Sequence, residues 1–260
     1  MAILRSSWAL LVFLVATPII ATGAILSSLL RRREVTMGPV ALWSRALLAA
    51  IGARVEYLGL EHRIDDRPCI FASNHQSNVD IWALGCALPP HTKFVAKQSL
   101  FALPFIGWAM RRAGFIAIDR ERRHLAMQSL ELAATRVREG RSLILFPEGT
   151  RSKDGRLQRF KKGGFHLALR AGVPVVPIAI SGSWNVLPPG KFAARSGAIQ
   201  VRFLPAIEVA RFLPDDYRGL LDTVHGAIAG ALGESTLSVP TPTAAETGSG
   251  GVGPAQAPPS

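Results

Sequence analysis

A chain of 260 residues holds one sizeable domain with appendages and leaves little room for two. Its 30 basic and 18 acidic residues give a net charge of +12, which suits a polyanionic partner: nucleic acid, an anionic membrane or a phosphorylated ligand. Only 7% of residues are aromatic, and no Arg/Gly- or Arg/Ser-rich arm is present, so nucleic acid is disfavoured. The two cysteines, Cys69 and Cys86, have no metal-ligand spacing and cannot form a disulfide framework in a chain this long, so they read as buried small hydrophobes.

Residues Trp8 to Leu30 form a 23-residue run without a charge, bounded by Arg5 and by Arg31, Arg32 and Arg33. As a helix it extends roughly 34 Å, enough for a bilayer core. Ala21-Thr22-Gly23 resembles a signal-peptidase site, but the apolar run exceeds the roughly 7–15 residues of a signal peptide, so a retained anchor is expected. The arginines place its C-terminal flank in the cytoplasm. Pro18 and Gly23 leave open whether it crosses the bilayer or dips into one leaflet. Val40 to Ile51 is too short to span and reads as an interfacial or packed helix, completing a helical hairpin with the arginines at its turn. Residues 1–52 are thus assigned to a membrane-anchoring segment.

From Ala53 the pattern alternates between short β-rich runs and helical stretches. The runs are Ala53–Leu58, Cys69–Ala72, Phe94–Ala96, Phe115–Ile118, Ser142–Phe146, Val175–Ile180 and Ile199–Phe203. The clearest helix is Arg123–Glu139, with Ala126, Leu130, Ala133 and Val137 on one face and Gly140 as its stop. Such alternation predicts an α/β domain over 53–233, with a mixed, largely parallel sheet flanked by helices. The prolines of Val173-Pro174-Val175-Val176-Pro177 suit an edge strand or a strand entry. Residues 234–260 are rich in Pro, Gly, Ser, Thr and Ala and bury no core, so disorder is expected there. Their only ionisable residues are Glu234 and Glu246, which leaves the basic excess in the rest of the chain.

Chemistry-bearing residues cluster where strands end. Directly after Cys69–Ala72 come Asn74, His75, Ser77 and Asp80. A neutral imidazole takes a proton from a hydroxyl near neutral pH, and a carboxylate on its other nitrogen sets the tautomer. Five residues of ideal helix rotate by roughly 140° net, so His75 must lie in a loop ahead of the helix carrying Asp80. No Gly-x-Ser-x-Gly elbow accompanies the pair, which leaves the nucleophilic hydroxyl to the substrate. The bland alternative makes Asn74 or Ser77 a helix cap and His75 an incidental loop residue. A second cluster, Phe146 to Ser152, supplies Glu148, Gly149, Thr150 and Arg151, followed by Arg156, Arg159, Lys161 and Lys162. Guanidinium groups and loop amides there suit a phosphate, with Glu148 steering Arg151 or accepting a substrate hydroxyl. The later lysines read equally well as solvated surface charge. Gly114 to Arg120 ends another apolar run in an Asp-Arg pair.

Four blocks in order, Asn74–Asp80, Gly114–Arg120, Phe146–Ser152 and Val173–Pro177, resemble the 1-acyl-sn-glycerol-3-phosphate acyltransferases among the glycerolipid acyltransferases. They follow the family patterns Asn-His-x-x-x-x-Asp, Gly-x-x-x-x-x-Arg, Phe-Pro-Glu-Gly-Thr-Arg-Ser and Val-Pro-x-x-Pro without departure, within residues 55–210. The resemblance implies a glycerolipid acyltransferase-like fold and transfer of an acyl group from acyl-CoA or acyl-carrier protein to a lysophospholipid, giving phosphatidic acid. It implies that His75, aided by Asp80, deprotonates the acceptor, and that Arg120, Glu148, Gly149, Thr150 and Arg151 shape the acceptor site. Lys97 matches a basic position between the first two blocks and steadies either an oxyanion or the phosphate. A thioester is already activated, so neither cofactor nor metal is implied. An amphiphilic acceptor places the enzyme on an anionic surface, the cytoplasmic face of the inner membrane. Other acceptors (another lysophospholipid, a lyso-ornithine lipid, glycerol 3-phosphate), a catalytically silent membrane-binding module and a hydrolase remain the rival readings.

Overall fold

The computed structural model describes residues 2–31, 35–119 and 123–233. The chain opens with α1 (Ala2–Arg31) and α2 (Met37–Ile51), followed by β1 (Ala53–Leu58), β2 (Ile70–Ser73), α3 (Val79–Gly85) and β3 (Lys93–Lys97). Next come a 3-10 turn (Gln98–Ala102), α4 (Ile106–Arg112), β4 (Ile116–Ile118), α5 (Arg123–Arg138) and β5 (Leu143–Leu145). The remainder is α6 (Gly163–Ala171), β6 (Val175–Ser181), α7 (Ser183–Val186), β7 (Gly197–Phe203) and α8 (Tyr217–Leu232). All seven expected β-rich runs fall on strands, and the predicted helix over 123–139 is α5. The side chain of Ala126, Arg32, Arg33, Arg120 and the tail 234–260 lie outside the described set.

The strands form one seven-stranded sheet in the order β1-β7-β6-β2-β5-β3-β4. Neighbours run parallel except β6 and β7, so the sheet is mixed and largely parallel, as the alternation predicted. Helices cover both faces, and the central strands are accordingly apolar on both. Phe71, Ile144 and Ile178 point into a core with α2 and α3. Their neighbours Ile70, Leu143, Leu145 and Val175 point the other way, against α5, α6 and α8. This is the period-two alternation of a strand, with each fully buried large side chain contributing about 1.5–3 kcal/mol.

Pro174 stands at the entry to β6, where its carbonyl accepts from Ile70 N at 2.9 Å. Pro177 does not lie on an edge: it sits inside β6, between β2 and β7, in register with Ala72. The ladder itself explains this. The register between β6 and the chain after β7 shifts by one residue from the pair Ile178–Phe203 to the pair Val175–Ile207. Pro177 falls at that bulge, where a missing N–H interrupts no regular bond, and its carbonyl still accepts from Leu204 N at 3.0 Å.

Helices α1 and α2 run antiparallel as the expected hairpin. Arg5 approaches Gly52, Trp43 donates from Nε1 to Thr17 Oγ1 at 2.9 Å, and Ala24 packs with Val35. The helix is continuous through Pro18. Its buried face carries small residues, Ser6, Thr17, Ala21, Ala24 and Ser28, while Trp8, Leu14, Ile19 and Leu30 are exposed. That distribution is inverted relative to a helix of a soluble domain and matches one that packs through small residues and faces lipid. A second contact fuses the hairpin to the domain: Ser6 Oγ accepts from Ala194 N at 2.7 Å.

Candidate active site

Because β2, β5 and β3 are parallel neighbours, their C-terminal ends open on one edge of the sheet, where α/β folds place ligands. The chain leaves β2 at Ser73. Asn74 stands in for the next rung of the ladder: its Nδ2 donates to Ile180 O at 2.8 Å and its Oδ1 accepts from Ile180 N at 2.7 Å. The main chain therefore turns out of the sheet while β6 remains paired.

His75 is in the loop, ahead of α3, as the helical geometry required. Its Nδ1 lies 2.8 Å from Asp80 Oδ2. That same oxygen accepts from Gln76 N and Ser77 N, each at 2.7 Å, and Asp80 is fully buried in the first turn of α3. With Nδ1–H donating to the carboxylate, the lone pair is left on Nε2. The loop is held from three further directions. Glu148 Oε1 accepts from His75 N at 3.0 Å, and Ser152 N donates to His75 O at 2.7 Å. Gln76 Nε2 donates to Gly155 O at 2.7 Å, and Ser77 Oγ donates to Leu187 O at 2.7 Å while accepting from Val79 N. The N-cap of α3 is Asn78, without a side-chain cap bond, so neither Asn74 nor Ser77 takes the capping role, and the Ser77 hydroxyl instead bonds Leu187 O and Val79 N. Phe146 stacks on the imidazole, with ring centroids 3.9 Å apart at 15°.

The second loop leaves β5 beside it. Gly149 has φ +77°, a conformation that glycine adopts freely, and it closes a turn by donating from N to Phe146 O at 3.0 Å. A Cβ there would come within 2.8 Å of Lys161 Nζ. Lys161, which the sequence left undecided between binding and surface charge, is therefore folded over this turn, with its own N donating to Pro147 O at 2.8 Å. Arg151 is half-buried and makes no hydrogen bond or ion pair among the described residues; Thr150 is exposed. Asp154 accepts from Arg156 N and from Ser152 Oγ, and these bonds hold its carboxyl below the usual range.

His75, Asp80 and Glu148 thus meet directly, and Gly149 and Arg151 lie on the adjoining turn. Lys97 ends β3 at the same sheet edge and is exposed. Arg120, two residues past β4, lies outside the described residues. Asn74, weighed as a helix cap, instead bonds Ile180, and Phe146 was visible only as a motif letter; both roles appear with the neighbouring strands. A cleft of about 550 Å³ extends from Phe146, Pro147 and Gly149 between α5 and α6, with Lys161, Lys162 and His166 along it. Burial, and then the charges of Lys162 and Arg170, lower the pKa of His166, so it is neutral near pH 7.

Chemically, the His75–Asp80 geometry is that of an oriented imidazole, and among the described residues the serine hydroxyls around it are bonded elsewhere. Ser73 Oγ donates to Asn74 O, Ser77 Oγ to Leu187 O and Ser152 Oγ to Asp154 Oδ1. The Cys69 thiol is buried in the core and pushed up to about 12 by that burial, while Cys86 is half-buried. Among the described residues no three His, Cys, Asp or Glu side chains are grouped to hold a metal ion.

Residues 54–181 match the family model described as Acyltransferase. A 1-acyl-sn-glycerol-3-phosphate acyltransferase of Chlamydomonas reinhardtii is 33% identical over 240 residues, 89% of this chain and 69% of that protein. The chloroplastic enzyme BAT2 of Brassica napus is 43% identical over 138 residues, 53% of this chain, and the chain spans only 40% of its length. The fold matches the crystal structure of the 1-acyl-sn-glycerophosphate (LPA) acyltransferase PlsC from Thermotoga maritima, with TM-score 0.73 over 88% of this chain and 94% of that one; at 24% identity this likeness concerns the fold alone. With the family model matched over residues 54–181 and a relative aligned over most of both chains, the protein belongs to the acyltransferase family that includes the 1-acyl-sn-glycerol-3-phosphate acyltransferases.

Proposed function

We propose that this chain transfers a fatty acyl group from acyl-CoA or acyl-carrier protein to the sn-2 hydroxyl of 1-acyl-glycerol 3-phosphate, giving phosphatidic acid. The observation that carries the proposal is the His75–Asp80 pair at 2.8 Å, which leaves the Nε2 lone pair as the base, with the described serine hydroxyls around it already bonded within the protein. Such a base needs an external hydroxyl. His75 Nε2 takes the acceptor's proton as its oxygen attacks the thioester carbonyl. The tetrahedral intermediate collapses with loss of the thiolate, which recovers the proton from the imidazolium. The products are one ester and one thiol. Asp80 positions the imidazole and stabilises its charged form, and Glu148 holds the backbone of His75.

The acceptor's phosphate is assigned to Arg151 and the Gly149 turn, with Thr150, Lys161, Lys97 and Arg120 as further contacts. Supporting this are the unengaged guanidinium of Arg151 and the lysine folded over Gly149. Residues 1–52 anchor the domain 53–233 at an anionic membrane, on the cytoplasmic face of the inner membrane by the arginines that follow α1.

The test is transfer of a labelled acyl group from acyl-CoA to lysophosphatidic acid in detergent micelles, wild type beside His75→Ala. Product from the wild type, with kcat lowered roughly 10²–10⁴-fold in the variant, is expected. Equal turnover by both sinks the base assignment. Free fatty acid in place of phosphatidic acid indicates a hydrolase.

A further inference from the structure

A second apolar surface lies beside the site. Directly after Lys97, at the sheet edge that carries His75, the chain makes the 3-10 turn Gln98–Ala102 and then α4. Leu103, Phe105 and Trp108 in this segment are 43%, 36% and 52% exposed. They are held outward by a rigid support. Phe101 is buried, its carbonyl accepts from the Arg111 guanidinium, and a Cβ on Gly107 would collide with that same carbonyl. Phe105 has φ +58°, a backbone conformation that favours glycine, and its ring packs against Trp108 with centroids 5.3 Å apart. A bulky aromatic in a strained position with over a third of its surface in water indicates that something apolar covers it.

We infer that Leu103, Phe105 and Trp108 form a wedge that inserts into the interface of an anionic bilayer and holds the mouth of the active site against it. The inference rests on the reading of α1 as a lipid-facing helix. Continuity identifies the occupant: Ala113, at the end of α4, packs with Ala24 of α1 and with Val35, so the segment carrying the wedge is joined to the helix that exposes Leu26 and Leu30. Arg111 and Arg112 follow the aromatic pair, and cations bordering inserted aromatics match an anionic headgroup layer. An amphiphilic acceptor then enters the site sideways from the leaflet, without leaving it.

The experiment uses the full chain with Cys69→Ala and Cys86→Ala, labelled with an environment-sensitive fluorophore at Trp108→Cys or, as a control, at Glu139→Cys at the end of α5. In phosphatidylcholine–phosphatidylglycerol vesicles the label at 108 is expected to brighten and to be quenched by nitroxide lipids, while the label at 139 is not. Equal water exposure of the two labels on vesicle-bound protein overturns the wedge. So does brightening without vesicles that depends on protein concentration, which indicates a protein contact instead. As a second readout, Leu103→Glu with Trp108→Glu is expected to lower turnover of vesicle-embedded lysophosphatidic acid roughly tenfold. Turnover of a short-chain acceptor below its micelle concentration is expected to be unchanged. Loss in both assays, or in neither, overturns the proposal. A wild type inactive even on the short-chain acceptor sinks the acyl-transfer reading, whereas the fluorescence comparison judges the wedge separately.

Discussion

The loop leaving β2 is tied down on every side, whereas the loop leaving β5 loosens as it moves away from the sheet. Around His75, backbone and side chains bond to β6, to α3 and to the β5 loop, and Asp80 alone accepts three N–H groups. In the β5 loop, Glu148 is buried and bonded to His75 N, but Thr150 is exposed and Arg151 is half-buried, with no hydrogen bond or ion pair among the described residues. A base must be in place before its substrate arrives, since misorientation reduces the rate directly. A phosphate-binding guanidinium has to remain unsatisfied until the ligand satisfies it. With His75 proposed as the base and Arg151 as the phosphate ligand, the contrast is expected to separate rate from affinity: changes in the first loop should act on kcat and changes in the second on the acceptor KM.

The largest test of that division is Asp80→Asn. An amide in place of the carboxylate disturbs the tautomer of His75, and kcat is expected to fall roughly 10³-fold with the acceptor KM unchanged. Steady-state kinetics on lysophosphatidic acid decides it, and a mainly raised KM breaks the comparison. Next in size, Arg151→Ala is expected to raise the acceptor KM about ten- to hundredfold, as for a lost charge-assisted bond, with kcat little changed. An unaltered KM removes Arg151 from the phosphate site.

Glu148 lies on the border of the two loops and sharpens the division. Glu148→Ala leaves the buried His75 N–H without its acceptor and is expected to cost about 1–3 kcal/mol of stability in denaturant unfolding. Glu148→Gln keeps an oxygen there, so stability and kcat should largely return. If the Gln variant is stable yet as inactive as Ala, the charge of Glu148 acts on the substrate instead. The smallest effect belongs to Gly149→Ala, which places a residue other than glycine at φ +77° and displaces Lys161. The left-handed conformation costs about 1–2 kcal/mol, read as a lowered unfolding midpoint, and the displaced lysine should raise the acceptor KM modestly.

What could be read in advance followed from chemistry local to a segment. Strand runs were legible because a strand covered on both faces must be apolar throughout, and His75 with Asp80 was legible because both sit within one turn of chain. The Glu148 bond to His75 was not, since 73 residues separate its partners. The expected partner, Arg151, is nearer in sequence and lacks the bond. Phe146 stacking on the imidazole was hidden for the same reason. Of the edge or entry expected for the prolines, Pro174 takes the entry, while Pro177 lies inside the sheet because a proline's missing N–H shows in sequence and a bulge in the neighbouring chain does not.

The amino-acid sequence by itself determined the apolar N-terminal helix, the seven strands and the four motif blocks, because periodicity, charge and turn chemistry act over a few residues. Only the tertiary structure decided the strand order that sets β2 between β5 and β6. That order turns Asn74 into a rung of the sheet and Glu148 into the support of His75. It also brings the exposed Phe105 and Trp108 to the same edge as the base. Side-chain patterns state what a segment must bury, but many strand orders satisfy them, and the choice among those orders is made by packing across the whole sheet.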